Sequence, residues 1–152
     1  TVQAIKKDTA SFTISPSTTY NYSAFSASIT PIFSTSKILI TGFLTVSSDA
    51  LPTALSIMRG GSLITDLAAD ANGSQVRAHS CDHIRNDTSA AVSIHVCGLD
   101  SPNSTSQQTY NYRINHTSGS DRTYYINRTP GDQNSAELSR YVSVIILQEV
   151  SA

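Results

Sequence analysis

What this chain has little of narrows the field first. Only 14% of its 152 residues are Asp, Glu, Lys or Arg, and the formal net charge is −1. A balance this thin and even argues against an electrostatic nucleic-acid binder, and no basic arm or patch breaks it. Tryptophan is absent, and cysteine occurs twice. Two cysteines are too few for a disulfide scaffold and leave the redox compartment open. No apolar run approaches the roughly 20 residues of a membrane span, and no charged-then-apolar leader opens the chain, so membrane insertion and secretion are not expected. No segment sustains a 3.6-residue apolar period, which removes helices as the main building unit.

What is present is hydroxyl and alternation. Ser and Thr account for 25 and 17 residues, interleaved with apolar positions instead of forming tracts, a composition suited to exposed strands and turns. The most strand-like stretch is Ser139 to Val150, with Val142, Val144 and Ile146 on one face and Tyr141, Ile145 and Leu147 on the other. Lys37 to Val46 repeats the pattern, with Ile38, Ile40, Leu44 and Val46 opposing Leu39 and Phe43. A strand apolar on both faces needs cover on both. The two are therefore expected to lie side by side at the centre of a sandwich, with Leu39, Phe43, Ile145 and Leu147 meeting another copy of the chain.

Further strands are expected at Thr9–Ile14, at Tyr20 to Ile29, and in hairpins around Gly60-Gly61 and around Asn86-Asp87-Thr88-Ser89. Thr109–Thr117, with Tyr110, Tyr112, Ile114 and His116 opposing Asn111, Arg113 and Asn115, is expected to pair with Arg122–Asn127. Asp132–Leu138 has room for one helical turn. The tally is nine or ten short strands in one domain spanning residues 1–152, an all-β antiparallel β-sandwich or jelly roll.

The sharpest candidate for chemistry is His79-Ser80-Cys81-Asp82-His83 with His95-Val96-Cys97. Alternate strand residues share a face, so His79, Cys81 and His83 align, as do His95 and Cys97. If the two strands pair, these donors form a ligand set suited to zinc or another transition metal. A Cys81–Cys97 disulfide and a pair of free thiols beside ordinary strand histidines are the other readings. A Ser80/His83/Asp82 triad lacks the G-x-S-x-G elbow that exposes a nucleophile. The acids fall mostly in turns, giving a polysaccharide hydrolase no paired carboxylates. No catalytic residue is assigned and no cofactor is required. Asn21, Asn72, Asn86, Asn103, Asn115 and Asn127 open glycosylation tripeptides, as expected by accident in a chain this rich in Ser and Thr. Of the seven tyrosines, Tyr112 and Tyr141 read as half-buried strand residues, and the rest suit either packing or surface recognition.

Six short motifs in order, Ser28-Ile29-Thr30-Pro31, Ser36 to Thr41, Leu99-Asp100-Ser101-Pro102, Tyr110-Asn111-Tyr112, Ile126-Asn127-Arg128 and Ser143 to Glu149, resemble a β-sandwich module of tailed-phage virions. That module is common in marine and cyanobacterial phages, in tail-fibre-like and other virion surface proteins, and the likeness runs from about Val2 to Val150. It implies a jelly-roll sandwich located in the virion, usually a homotrimer, acting without catalysis in structure or host attachment. Its partners would be copies of itself, other virion proteins and a host glycan or protein met by loops such as Ala68–Gln75 and Pro102–Gln108. Capsid decoration is the alternative role. The histidine and cysteine cluster is no part of that likeness.

Overall fold

The architecture follows from two strands that alternate with a period of two. In the computed structural model, residues 1–48, 51–84 and 89–151 are described, with backbone alone for 51, 52, 83 and 84. Strand β4 (Lys37–Ser48) sends Ile38, Ile40, Leu44 and Val46 into the core, each wholly buried, and turns Leu39, Thr41 and Phe43 outward. Strand β11 (Ser143–Val150) lies antiparallel beside it, with Val144 opposite Phe43 and Leu147 opposite Ile40. The expected central pairing is therefore present.

Two antiparallel sheets pack face to face as a β-sandwich. The first carries β1 (Val2–Lys6), β11, β4, β10 (Arg122–Ile126) and β2 (Ala10–Ile14) in that order, with β8 (Val92–Asp100) along the other edge of β4. The second carries β3 (Thr19–Ile29), β9 (Gln108–His116), β5 (Leu51–Arg59) and β6 (Ser62–Leu63), with β7 (Ser80–Ile84) also on β5. One 3-10 turn, Thr65–Leu67, is the only helical element among the described residues. Gly60 and Gly61, both at positive φ, close the tight β5–β6 hairpin, a conformation that other residues resist.

Three expectations are corrected. The strands on either side of Asn86-Asp87-Thr88-Ser89 do not form a hairpin: β7 pairs with β5 in one sheet and β8 with β4 in the other. Likewise β10 pairs with β2 and β4, not with its neighbour in sequence β9. Short connections between strands are equally able to turn back within a sheet or cross to the opposite one, and here they cross. Asp132–Leu138 forms turns and bends without helix.

Polar bonds pin the sheets together across the core. Asp100 on β8, nearly buried, accepts from Arg59 on β5 at 2.6 and 2.8 Å and from the Tyr110 hydroxyl on β9 at 2.8 Å. Tyr112 on β9 reaches through the interior to donate to the Val144 carbonyl at 2.8 Å. It can do so because Gly42 has no side chain: a Cβ there would lie 2.1 Å from that carbonyl oxygen and 2.6 Å from the hydroxyl. Asn127, wholly buried, donates to the Lys6 and Asp8 carbonyls and accepts from Ser143, gathering β1, β10 and β11.

Two predictions test this frame. Gly42→Ala forces β4 off β11 and is expected to cost more than the roughly 1–3 kcal/mol of ordinary overpacking. Tyr112→Phe, which loses one hydrogen bond and orphans a carbonyl, costs about 1–3 kcal/mol. Urea unfolding of both variants gives that order, and a Gly42→Ala protein as stable as wild type contradicts the packing. Burial, joined at Tyr110 by the bond to Asp100, raises the phenol pKa of Tyr110 and Tyr112 above the ordinary value of 10.0. The folded state then holds protons that the unfolded state has released, so their contribution is complete below about pH 10 and declines as pH rises above it. Stability measured against pH is expected to fall in that alkaline window, and Tyr110→Phe flattens the slope.

Candidate interface on the outer face of the first sheet

The phase of β4 and β11 decides what the first sheet shows to solvent. Register places Gln3 and Ile5 of β1, Val144, Ile146 and Gln148 of β11, Leu39, Thr41, Phe43 and Thr45 of β4, and Ser93, His95, Cys97 and Leu99 of β8 on its outer face. Val142 continues the row at the start of β11. None of these is Asp, Glu, Lys or Arg; the charges nearest them are at the margins, Lys37 opposite Val150 at the start of β4 and Arg140 beside Phe43 and Val142. Ile5, Leu99 and Val142 are each 40–48% exposed, more than isolated strand hydrophobics need be. Between β11, β4 and β8 lies an open groove of about 540 Å³, lined by Thr41, Phe43, His95, Cys97, Val144 and Ile146. The rings of Phe43 and His95 sit 5.3 Å apart along its floor. Ile32 and Phe33 are also exposed, on the connection leading into β4, with their backbone N–H groups held by Glu149.

Two of the four expected interface residues are on this face and two are not. Leu39 and Phe43 are partly buried on the outer side, whereas Ile145 and Leu147 are wholly buried inside the sandwich. The exposed apolar side of β11 is Val142, Val144 and Ile146. A strand apolar on both sides carries no signal of which side is inward, and the correction follows from the register that Gly42 imposes.

The histidine and cysteine cluster is divided by the sheet crossing. Cys97 and His95 stand on the outer face of the first sheet, while Cys81 shares the outer face of the second with Ala54. Both thiols are free and exposed, which removes the disulfide reading. The His83 side chain lies outside the described residues, and among those described no three His, Cys, Asp or Glu side chains gather as a metal set. Ser80 has its hydroxyl buried, unlike an exposed nucleophile.

His79 does reach Cys97, but as a cap. Its Nδ1 bonds to the Leu67 carbonyl at 2.9 Å, and its Nε2 accepts the Cys97 backbone N–H at 3.3 Å. Both bonds together require the neutral ring with the proton on Nδ1. Leu67 packs over Gly98, where a Cβ would meet it at 2.6 Å. The segment between β6 and β7 is thereby fastened to the edge strand β8, occupying one of its outward N–H groups.

Most tyrosines are spent on packing. Tyr22, Tyr110, Tyr112 and Tyr124 are buried, and Phe12 stacks on Tyr20 at 4.0 Å. Tyr125 remains half-buried beneath Arg128, whose guanidinium carbon lies 4.4 Å from the ring centre. Asn115 and Asn127 are wholly buried, Asn21, Asn72 and Asn103 are exposed, and Asn86 lies outside the described residues. A scan against protein-family models finds no match to this chain, and a search of curated proteins finds none either.

The capping role of His79 has a direct readout. His79→Ala is expected to speed hydrogen exchange at the Cys97 amide by about tenfold or more, the equivalent of roughly 1.4 kcal/mol of local protection. Unchanged exchange at that amide would show that the ring does not cap it.

Proposed function

We propose that the chain is a non-catalytic structural module that assembles with copies of itself through the outer face of its first sheet, on the surface of a virion of tail-fibre or attachment type. The observation that carries the self-assembly is the apolar face running across β1, β11, β4 and β8, with its charges, Lys37 and Arg140, at the margins. Loss of charge at the centre is the compositional mark of an interface core. At its centre a charged partner would find no counter-ion, whereas a second copy offers an apolar surface of the same kind. Closed symmetry is the usual outcome for such contacts, and the ordered motifs that resemble the phage module support a trimer and a virion setting.

The two free cysteines supply the test, because they lie on opposite sheets. In the assembled protein a thiol reagent is expected to modify Cys81 readily and Cys97 slowly, with sedimentation showing an oligomer at micromolar concentration. Phe43→Glu, which places a charge in the face, is expected to yield monomers in which both thiols react at similar rates. A wild-type monomer with equally reactive thiols overturns the assembly. Antibodies raised to the chain that bind only ruptured particles, never intact ones, overturn the surface location.

A further inference from the structure

A three-fold ring is built from heterologous contacts, in which each copy meets its two neighbours through two different patches. Copies that meet through one and the same patch close as a two-fold pair instead. The groove on the first sheet supplies one patch. A trimer needs a second.

Ile32 and Phe33 are the most exposed large hydrophobic residues among those described, at 71% and 60%. They stand together at the tip of the connection from β3 to β4, which crosses from the second sheet to the first at one end of the sandwich. The tip is pinned. Pro31 and Ser36 are buried at its base, and the Phe33 carbonyl accepts the Ser36 N–H at 3.1 Å. One carboxylate oxygen of Glu149 accepts the Ile32 N–H at 2.7 Å and the Phe33 N–H at 3.4 Å. Scattered exposed hydrophobics are ordinary, but an adjacent pair held in place has little freedom left to lose on docking, so burying it favours association.

The groove between β11, β4 and β8 has the matching character: open, about 540 Å³, with Phe43, Val144 and Ile146 in its walls and no Asp, Glu, Lys or Arg among its lining residues. The tip cannot fold back into the groove of its own copy. Lys37, where β4 begins, and Phe43 are about 20 Å apart at about 3.3 Å per strand residue, and the bonds to Glu149 hold the tip at that end. Charge agrees with a contact between copies. Glu149 places an acid at the base of the tip, whereas beside Phe43 two cations, Arg140 and Arg128, share one acid, Asp132. Lys37, the cation at the same end as the tip, falls on the outer-face side of β4, in phase with Leu39 and Thr41.

We propose that the Ile32–Phe33 tip of one copy seats in the groove between β11, β4 and β8 of the next, and that repeating this contact closes the trimer. This rests on the self-assembly reading and names the second surface it requires. The two fail separately: a Phe33→Glu protein that stays oligomeric while Phe43→Glu is monomeric leaves assembly standing and removes the tip from it.

The experiment is complementation between two disabled copies. Phe33→Glu spoils the tip and keeps the groove, Phe43→Glu does the reverse, and each alone is expected to sediment as a monomer at micromolar concentration. Mixed in equal amounts they are expected to form a dimer holding one copy of each, because one intact tip meets one intact groove. A contact between identical patches gives no such rescue. A second variant reads proximity: in a Cys81→Ser background, Phe33→Cys puts a thiol in the tip, and mild oxidation is expected to link it to Cys97 of the neighbour as covalent trimers on a non-reducing gel. That bond forms only where the two Cα atoms come within about 7 Å, and Cys81→Ser alone is expected to give no trimer. Oligomeric Phe33→Glu, a mixture that stays monomeric, or cross-links that stop at dimers joined tip to tip each overturns the proposal. If Phe43→Glu does not fold, the cross-link decides. Wild-type monomers that bind phosphatidylcholine vesicles, with Phe33→Glu failing to bind, would give the tip to a lipid surface and overturn it as well.

Discussion

The hydrogen bond from the Tyr112 hydroxyl to the Val144 carbonyl, threaded past Gly42, sets the phase of the whole first sheet. Strand side chains alternate strictly, so fixing Gly42 inward fixes Leu39, Thr41 and Phe43 outward, and through the ladder fixes Val144 and Ile146 beside them. A slip of one residue would bring Phe43 into the space the phenol occupies. The apolar outer face is thus a consequence of a contact made inside the core, and a residue buried in the opposite sheet decides which side chains point outward.

Around that contact a few buried polar groups are shared between strands. Asp100 is shared by Arg59 and Tyr110, which come from adjacent strands of the second sheet, while it belongs to the first. Breaking one member of such a set leaves a buried charge uncompensated, which costs far more than the set itself contributes. Asn127 does the equivalent for backbone carbonyls at the opposite end of β10, in a left-handed conformation that asparagine tolerates better than most residues.

Much of the fold was legible in the sequence, for a physical reason. Alternation over ten or more residues marks β4 and β11 without help from the rest of the chain, and Gly60-Gly61 names its own turn. What could not be read was the destination of each strand. The connection after β7 and the one after β9 carry ordinary turn residues, and such residues dictate a change of direction without dictating a sheet. That single ambiguity separated Cys81 from Cys97 and dissolved the apparent ligand cluster. The inward assignment of Ile145 and Leu147 was hidden because both sides of β11 are equally apolar until the partner strand is known. The neutral groove, by contrast, was foreshadowed by Leu39 and Phe43.

The burial of Asn115 and Asn127 bears on how such a chain can be made. Both open tripeptides that oligosaccharide transfer enzymes accept during synthesis, before folding hides them. A sugar tree fixed to Asn127 would stand where the Lys6 and Asp8 carbonyls must close, and one on Asn115 would hold β9 away from its neighbours. Production through a glycosylating secretory route would therefore compete with folding itself.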